Sequence, residues 1–301
     1  MKILITGATG LVGQEIVSLC HQLDIDVNYL TTSKDKIMSE SNYQGYYWNP
    51  KIGEIDTDCF KGVEVIVNLA GATVAKKWTA SYKKEILESR THTTSLIFDS
   101  LKSITNSVHH VISASAIGIY PDSFQNYYME DAKERDKGFL GQVVSSWEDT
   151  VTQFSELGIK VSLLRIGLVL SSKGGAFLKL VQPIRYGVGA FFGKGEQWQS
   201  WIHVEDLARM FVYVMQKELK GVFNAVSPNP VSNKKLINTI AARLGRRILL
   251  PNIPRLAMRL VLGEMHILLF SSQRVCCNKL LETGFVFKHD NIASAIDDLL
   301  A

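Results

Sequence analysis

Glycines near the start of the chain have the spacing of a phosphate-binding turn. Gly7, Gly10 and Gly13 form a G-x-x-G-x-x-G pattern between an apolar run at residues 2–6 and a helical pattern at residues 11–23. In a strand–turn–helix unit of this kind, glycines allow a tight turn, the approach of a pyrophosphate and close helix–strand packing. The helix N-terminus offers free N–H groups and the positive end of its dipole to the phosphates. The pattern predicts a dinucleotide site formed by Gly7, Thr9, Gly10, Leu11, Val12 and Gly13.

The residues after the second apolar run bear on which dinucleotide would bind. A site for NAD carries an acidic side chain at the end of the second strand, where it holds the ribose 2′-hydroxyl. Here the run at residues 27–30 is followed by Thr32, Ser33 and Lys34, and no carboxylate follows the run before Asp35. Hydroxyls and an ammonium suit a 2′-phosphate, so this segment predicts NADP as the cofactor. The alternative is an ordinary polar loop.

Short apolar runs alternate with helical patterns through the first half of the chain. The strand candidates are residues 2–6, 27–30, 63–69, 108–113 and 160–166, and the helix candidates are residues 11–23, 81–101 and 145–157. Continuous apolar strands that alternate with helices predict an α/β fold with a doubly wound parallel sheet of the Rossmann type. Residues 1–165 are expected to form the dinucleotide-binding domain. Residues 166–301 are expected to form a smaller C-terminal substrate lobe, with some segments returning to the sheet.

The composition is that of an ordinary globular protein. Of 301 residues, 46 % are hydrophobic and 21 % are charged, and the net charge of +4 includes no dense basic run, which argues against a nucleic-acid partner. The four cysteines form no C-x-x-C pair and have no histidines at zinc spacing, so we expect reduced thiols and no metal site. No signal peptide and no membrane-spanning apolar stretch is recognisable, so we expect a cytoplasmic protein without a membrane partner.

Further motifs occur in order along nearly the whole chain. They include Asn68-Leu69-Ala70-Gly71, Ser113-Ala114-Ser115-Ala116, Trp147-Glu148, Arg165-Ile166-Gly167, Trp201-Ile202-His203, Gly221-Val222-Phe223-Asn224-Ala225 and Gln273-Arg274-Val275. Together with the glycine pattern, the motifs resemble the extended short-chain dehydrogenase/reductases, and more specifically their epimerase-like branch often called YfcH-type. The resemblance implies a dinucleotide-binding fold with NADP, and a family-specific C-terminal domain from about residue 250. It also implies cofactor contacts from Leu69, Ala70, Gly71, Arg90, Ser113, Ile166 and Gly167.

The wider superfamily that the chain resembles uses a tyrosine as general acid/base, a lysine four residues later and a serine that orients the substrate oxygen. A phenol titrates near ~10, so it needs a nearby cation to act as a base at neutral pH. Ser115 stands at the serine position, but the expected tyrosine and lysine positions hold Leu140 and Val144. The usual pair is missing, so another group would have to carry the proton.

Two side chains are candidates for that proton carrier. Tyr120 lies five residues after Ser115, where a strand ends, and its alternative role is that of an aromatic packed under the loop. His203 lies in a strand-like segment, and its alternative role is that of a buried imidazole. Tyr120 is the first candidate because it is near Ser115 in the chain.

Three further side chains have two interpretations each. Arg90 either contacts the cofactor or forms a surface ion pair with Glu88 or Glu85. Trp78 and Trp198 lie in loops rich in lysine and glycine, where they either line a pocket for an anionic, planar or sugar-bearing ligand or fasten the loops.

Two functions of different classes are compatible with these observations. The first is an NADP-dependent oxidoreductase or sugar-nucleotide-epimerase-like enzyme that acts on a hydroxylated small molecule, with Ser115 holding the reacting oxygen. The second is a non-catalytic NADP-binding sensor or scaffold, which Leu140 and Val144 favour. A homodimer through the helical patterns at residues 81–101 and 145–157 is expected by analogy with extended family members.

Overall fold

The chain folds as alternating strands and helices around one large sheet, and the computed structural model describes residues 1–301. The strands are β1 (Lys2–Thr6), β2 (Asp26–Thr31), β3 (Ser39–Glu40), β4 (Tyr43–Asn49), β5 (Glu54–Ile55), β6 (Val65–Asn68), β7 (His110–Ala116), β8 (Tyr127–Tyr128), β9 (Lys160–Ile166), β10 (Leu168–Leu170), β11 (Trp198–Gln199), β12 (Trp201–His203), β13 (Gly221–Ala225), β14 (Val231–Ser232) and β15 (Arg274–Val275). The helices are α1 (Leu11–Gln22), α2 (Ala80–Ser103), α3 (Phe139–Thr152), α4 (Gly175–Arg185), α5 (Val204–Gln216), α6 (Asn233–Arg243), α7 (Arg255–Leu262), α8 (Ile267–Phe270), α9 (Asn278–Glu282) and α10 (Ile292–Leu300). None of the helices has the length and apolar character that crossing a bilayer requires.

The central sheet has the strand order β13-β9-β7-β6-β1-β2-β4-β3, with β5 paired to β4. All neighbouring pairs are parallel except those that β3 and β5 make with β4. The chain leaves β1 in one direction through β2 and in the other through β6, so the topological switch point lies between β1 and β6. The predicted doubly wound parallel α/β sheet is therefore confirmed, and ligands of such sheets bind outside the carboxyl ends of the strands at this point.

Strand β4 was not predicted from the sequence. Its residues are mostly aromatic or polar rather than aliphatic, and it carries a glycine in its interior, Gly45. The strand forms because Tyr43 stacks on Tyr29 of β2 with ring centroids 4.3 Å apart, and because it pairs with residues 27–31 of β2. Tertiary packing thus stabilises a strand that its own residue pattern does not predict.

Two apolar clusters hold the fold together. The larger one surrounds the central sheet and includes Ile66 and Leu164, which have no exposed surface. The second joins α4, β12 and α10 through Phe177, Trp201 and Ile296. Because β13 belongs to the central sheet, the second half of the chain returns to the first. The division at residue 165 stays a prediction.

Candidate functional site

The glycine turn lies at the switch point, between β1 and α1. Gly7 has φ of +74°, and a Cβ atom on Gly13 would lie 2.2 Å from the Gly7 carbonyl oxygen, so both positions require glycine. A Cβ on Gly10 would meet only that same oxygen, at 3.2 Å, so its other side is open. Gly10 caps α1 without a side-chain acceptor, and the first turn of α1 has no acidic residue. Its free N–H groups therefore suit a phosphate, and this cradle fits a dinucleotide.

The carboxyl end of β2 leads into a short basic turn. The Ser33 amide N–H donates to the Thr31 hydroxyl at 3.2 Å, and Lys34 begins a 3-10 turn that is exposed. The Lys34 ammonium lies 4.9 Å from the centre of the Tyr47 ring. Thr32 is exposed and no carboxylate lies on the strand end itself. This arrangement leaves hydroxyls and an ammonium where an NAD site would have an acid.

Hydrogen bonds from neighbouring side chains fix the loop after β6. The Thr6 hydroxyl accepts the amide N–H groups of Leu69 and Ala70 at 3.0 Å each. Arg90 donates from Nη1 to the carbonyl of Ala72 at 3.2 Å, and a Cβ on Gly71 would lie 3.0 Å from its guanidinium carbon. Residues 69–71 thus lie at the carboxyl end of the sheet, beside the glycine turn.

Arg90 supports this loop and forms no surface ion pair. It also donates to the Ile86 carbonyl at 2.8 Å, and its guanidinium lies 5.2 Å from the centre of the Trp147 ring. Burial lowers the pKa of Arg90 to about 10. Glu88 pairs instead with Lys84, so the ion-pair alternative is wrong.

Ser113 is fully buried between strand ends and does not offer its hydroxyl to the loop. Asn68 donates from Nδ2 to the Ser113 oxygen at 3.2 Å, and the Ser113 hydroxyl donates to the carbonyl of Ala114 at 2.9 Å. Asn68 also accepts from the Thr6 hydroxyl at 2.8 Å. The Asn68 side chain therefore links β6 and β7, and the cofactor contact expected of Ser113 stays a prediction.

A cavity of about 450 Å³ opens beyond the ends of β7 and β9. Ile166 and Gly167 line it, and their contact with the cofactor stays a prediction. Its other walls include Val74, Trp78, Arg90, Ile117, Phe139, Leu140, Val143, Val144, Trp147, Leu168, Trp198, Arg255 and Gln273. Trp78 and Trp198 therefore do line a pocket. The positions of the missing tyrosine and lysine, Leu140 and Val144, also face it, so apolar carbon stands where the superfamily has its acid/base pair.

Next to this cavity lies a buried hydrogen-bond network that contains both Ser115 and Tyr120. The Glu148 carboxylate accepts two N–H groups of Arg165 at 2.8 Å each and the Ser115 hydroxyl at 2.6 Å. Arg165 also donates to the Tyr120 hydroxyl at 2.9 Å, and that hydroxyl donates to Oδ1 of Asn224 at 2.7 Å. All five side chains are buried.

The network gives Ser115 and Tyr120 positions that differ from the expected ones. Ser115 does not line the cavity, and its hydroxyl is committed to Glu148. The Tyr120 hydroxyl has both partners inside the protein, and burial raises the pKa of Tyr120 although Arg165 offsets part of the rise. A base for neutral pH needs a lowered phenol pKa. Tyr120 borders the cavity, but its hydroxyl is bonded within the network, which favours the packed aromatic of the alternative interpretation.

Glu148 and Arg165 were not singled out as a pair by sequence reasoning. A signal was present, because Arg165 is a charged residue between Leu164 and Ile166 in strand β9, and a buried charge requires a partner. Burial alone would lower the pKa of Arg165, but the hydrogen bonds and charge of Glu148 outweigh it and hold that pKa above its ordinary value.

His203 lies outside the cavity. Its Nδ1 accepts the amide N–H of Glu205 at 3.2 Å and so caps α5, and its ring stacks on His289 with centroids 3.9 Å apart. Burial, followed by the neighbouring His289, lowers the pKa of His203. His203 is thus the buried imidazole of the alternative interpretation, and the structure does not bring it to Ser115.

The same three residues, His203, Glu205 and His289, lie close enough to surround an ion. The hydrogen bonds oppose this role. Since Nδ1 of His203 is an acceptor, the neutral ring carries its proton on Nε2, whereas a ligating histidine donates from its second nitrogen. In addition, the Lys288 ammonium lies 2.9 and 2.8 Å from the two carboxylate oxygens of Glu205 and neutralises that group.

A doubly wound parallel sheet with a phosphate-binding turn after β1 and a cavity beyond β7 and β9 defines a dinucleotide-dependent class of protein. Within that class, the chain belongs to the NAD dependent epimerase/dehydratase family, whose model matches residues 3–225. A second model, described as Domain of unknown function (DUF1731), matches residues 253–299. The predicted resemblance, with its small C-terminal domain, is confirmed, whereas the start of that domain at about residue 250 stays a prediction.

Relatives match along nearly the whole chain. An epimerase family protein of Staphylococcus aureus (strain N315) is 35 % identical over 305 residues, which cover 99 % of this chain and 98 % of the relative. The human epimerase family protein SDR39U1 (isoform 2), solved with NADPH, has a TM-score of 0.86 at 25 % identity over 99 % of each chain. A UDP-N-acetylglucosamine 4-epimerase from Bacillus cereus shares the fold at 18 % identity, with a TM-score of 0.77 over 99 % of this chain and 95 % of that one. The cofactor class is therefore NAD(P).

Proposed function

We propose that the protein is an NADP-dependent oxidoreductase that acts on a hydroxylated small molecule bound in the cavity beside Leu140 and Val144. The open phosphate cradle at Gly10, followed by the basic turn at Lys34, carries this proposal. The presence of NADPH in the human relative supports the same cofactor. When bound, a nicotinamide supplies hydride chemistry.

In this proposal the chain's own residues bind and orient the cofactor and the substrate, and they exclude water from the site. The N-terminus of α1 holds the phosphates, and Lys34 neutralises the 2′-phosphate. The loop at residues 69–71, supported by Arg90, lies along the cofactor at the switch point. Apolar walls from α3 keep water from the reacting carbon. Ser115 acts as a positioning residue, because it reaches the cavity only through Glu148, Arg165 and Tyr120.

The cavity also limits the substrate. A sugar hydroxyl placed against Leu140 or Val144 would lose its hydrogen bonds to water without replacement, at a cost of about 1–3 kcal/mol for each group. The polar groups of the lining lie elsewhere, for example at Arg90 and Gln273. We therefore expect a substrate whose reacting end is poor in hydroxyls and whose polar end lies toward these side chains.

The cofactor choice can be tested by thermal unfolding with NADPH and NADH at equal concentration. A ligand at a hundred times its dissociation constant stabilises a protein by ~2.7 kcal/mol, so a preference for NADPH is measurable. Lys34→Ala should weaken NADPH binding about tenfold and leave NADH unchanged, since it removes one exposed charge-assisted contact. Lys36→Ala, on the same exposed turn, is the matched control. Equal or greater stabilisation by NADH would contradict the proposal.

The second candidate is an NADP-binding sensor without turnover. It is favoured by one observation, that the cavity has apolar carbon at both acid/base positions. The two functions separate when NADPH is incubated with carbonyl compounds of graded polarity and its oxidation is followed by absorbance. Oxidation that is fastest with compounds whose hydroxyls lie away from the carbonyl end supports the oxidoreductase. NADPH binding without oxidation across the whole panel supports the sensor.

A further inference from the structure

An exposed segment of the C-terminal domain combines arginines with apolar side chains. We call residues 246–262 the arginine–leucine patch; its members are Arg246, Arg247, Leu249, Leu250, Arg255, Leu256, Arg259, Leu260 and Val261. Leu249 and Leu260 are each 82 % exposed, and Leu256 and Val261 are 68 % and 73 % exposed. Helix α7, which forms the second half of the patch, has no buried residue at all. So many exposed large apolar side chains in one segment indicate an interaction surface.

The charge of the patch has one sign. Four arginines lie between residues 244 and 263, and that stretch contains no aspartate or glutamate. None of the four arginines takes part in an ion pair within the protein. The nearest acidic residue along the chain, Glu264, is paired with Lys83. The surface therefore offers uncompensated positive charge beside exposed leucines.

We propose that the arginine–leucine patch docks on the surface of an anionic phospholipid bilayer. On α7, Leu256 and Leu260 are four residues apart and form one row, while Arg255 and Arg259 form the adjacent row. A helix of this kind lies in the plane of the interface, with leucines at the acyl boundary and arginines on headgroup phosphates. The binding is peripheral, and it needs no membrane-spanning helix.

The charge argues against a second copy of this chain as the occupant. A two-fold symmetric contact places the same patch on both sides, so Arg255 and Arg259 would face their own counterparts with no acid between them. Exposed like charges at such a contact are unfavourable, whereas an anionic lipid surface attracts each arginine. A bilayer satisfies the leucines and the arginines together.

The arginine–leucine patch lies beside the cavity. Arg255 at the start of α7 and Ile267 and Leu268 of α8 line the cavity, so the patch borders its opening. An apolar compound dissolved in the bilayer would have a short path into the cavity. The docking goes beyond the proposed function and does not rest on it, because a sensor without turnover would dock in the same way.

Co-sedimentation with large unilamellar vesicles tests the proposal on the full-length protein. We expect binding to vesicles of phosphatidylcholine with phosphatidylglycerol, none to pure phosphatidylcholine, and release at high salt. Leu256→Ser with Leu260→Ser should lower the partition coefficient about tenfold or more, and Arg255→Gln with Arg259→Gln should act similarly. Ile52→Ser, at a turn where the side chain is 72 % exposed, is the matched control and should bind as the wild type does.

If a variant fails to fold, the vesicle-binding measurements on the wild-type protein still test the proposal. Absence of binding to anionic vesicles at low salt would overturn it, as would equal binding by the leucine variant. A concentration-dependent dimer that the leucine variant abolishes, seen by sedimentation without lipid, would reassign the patch to contacts between copies. Capture of an acidic protein in preference to vesicles would also overturn it. NADPH binding, measured in parallel, is expected to be the same in the leucine variant and in Ile52→Ser, whose residues do not line the cavity.

Discussion

Replacement of Glu148 by glutamine should destabilise the protein strongly. The Glu148 carboxylate accepts two N–H groups of Arg165 and the Ser115 hydroxyl in a buried site. Glutamine preserves the shape of the side chain but removes its charge, and its amide N–H₂ has no acceptor opposite the guanidinium. Arg165 is then a buried cation without a counter-ion.

The loss of stability in Glu148→Gln is large because the ion pair with Arg165 is buried. Breaking a buried ion pair by removing one partner costs about 3–5 kcal/mol, which is a large part of the ~5–15 kcal/mol that stabilises a typical domain. The unfolding entropy is about 2.1 cal/mol/K per residue, so for 301 residues the midpoint should fall by about 5–8 °C. Ser115→Ala is the control within the network. It leaves the ion pair intact and should cost only about 1 kcal/mol.

The assay is thermal and urea unfolding of Glu148→Gln, Arg165→Met and the double variant. Because the residues are partners, the double variant should lose less stability than the sum of the single variants, with a coupling energy of about 0.5–3 kcal/mol. A Glu148→Gln midpoint within about 2 °C of the wild type would contradict the stabilising role of the Glu148–Arg165 ion pair. Stability losses in the double variant that equal the sum of the two single variants would contradict it as well. If Ser115→Ala instead abolished turnover without changing stability, Ser115 would be a catalytic hydroxyl after all.

Three further outcomes are expected. Gly10→Val should abolish dinucleotide binding and keep the fold, because the branched side chain occupies the open phosphate cradle; undiminished NADPH binding by calorimetry would place the phosphates elsewhere. Tyr120→Phe should cost about 1–3 kcal/mol of stability, since Arg165 and Asn224 lose a partner, and should not change turnover per folded molecule; a loss of ~10²-fold would restore Tyr120 as an acid/base. Burial lowers the pKa of His110 to about 4, so its contribution to stability is complete above about pH 6.5 and is lost toward pH 4, because the unfolded chain takes up the proton first. Denaturant unfolding should show a loss of about 2 kcal/mol between pH 7.5 and pH 5 from this group, and His110→Asn should remove that part of the slope; an unchanged slope would contradict the assignment.

Much of the nucleotide-binding half was predictable because its information is local. Gly7, Gly10 and Gly13 lie within one strand–turn–helix, so their spacing alone indicates how the backbone can turn and what can approach it. The strands at residues 2–6 and 160–166 have mostly apolar interiors, as strands buried on both faces do. The aromatic strand β4 was not predicted, because pairing with β2 rather than its own residue pattern supplies its stability.

The candidate acid/base residues show the limit of such reasoning. Proximity in the chain suggested that Tyr120 faces Ser115, and both residue types can carry protons. Their orientation depends on partners that lie 33 and 45 residues away, Glu148 for Ser115 and Arg165 for Tyr120. A side chain turns toward the strongest partner in its surroundings, and a buried ion pair attracts hydroxyls more strongly than an apolar cavity does. Residue types and spacing thus indicate a dinucleotide fold without its usual acid/base pair, whereas packing of α3 against β7 and β9 sets which side chains face the cavity.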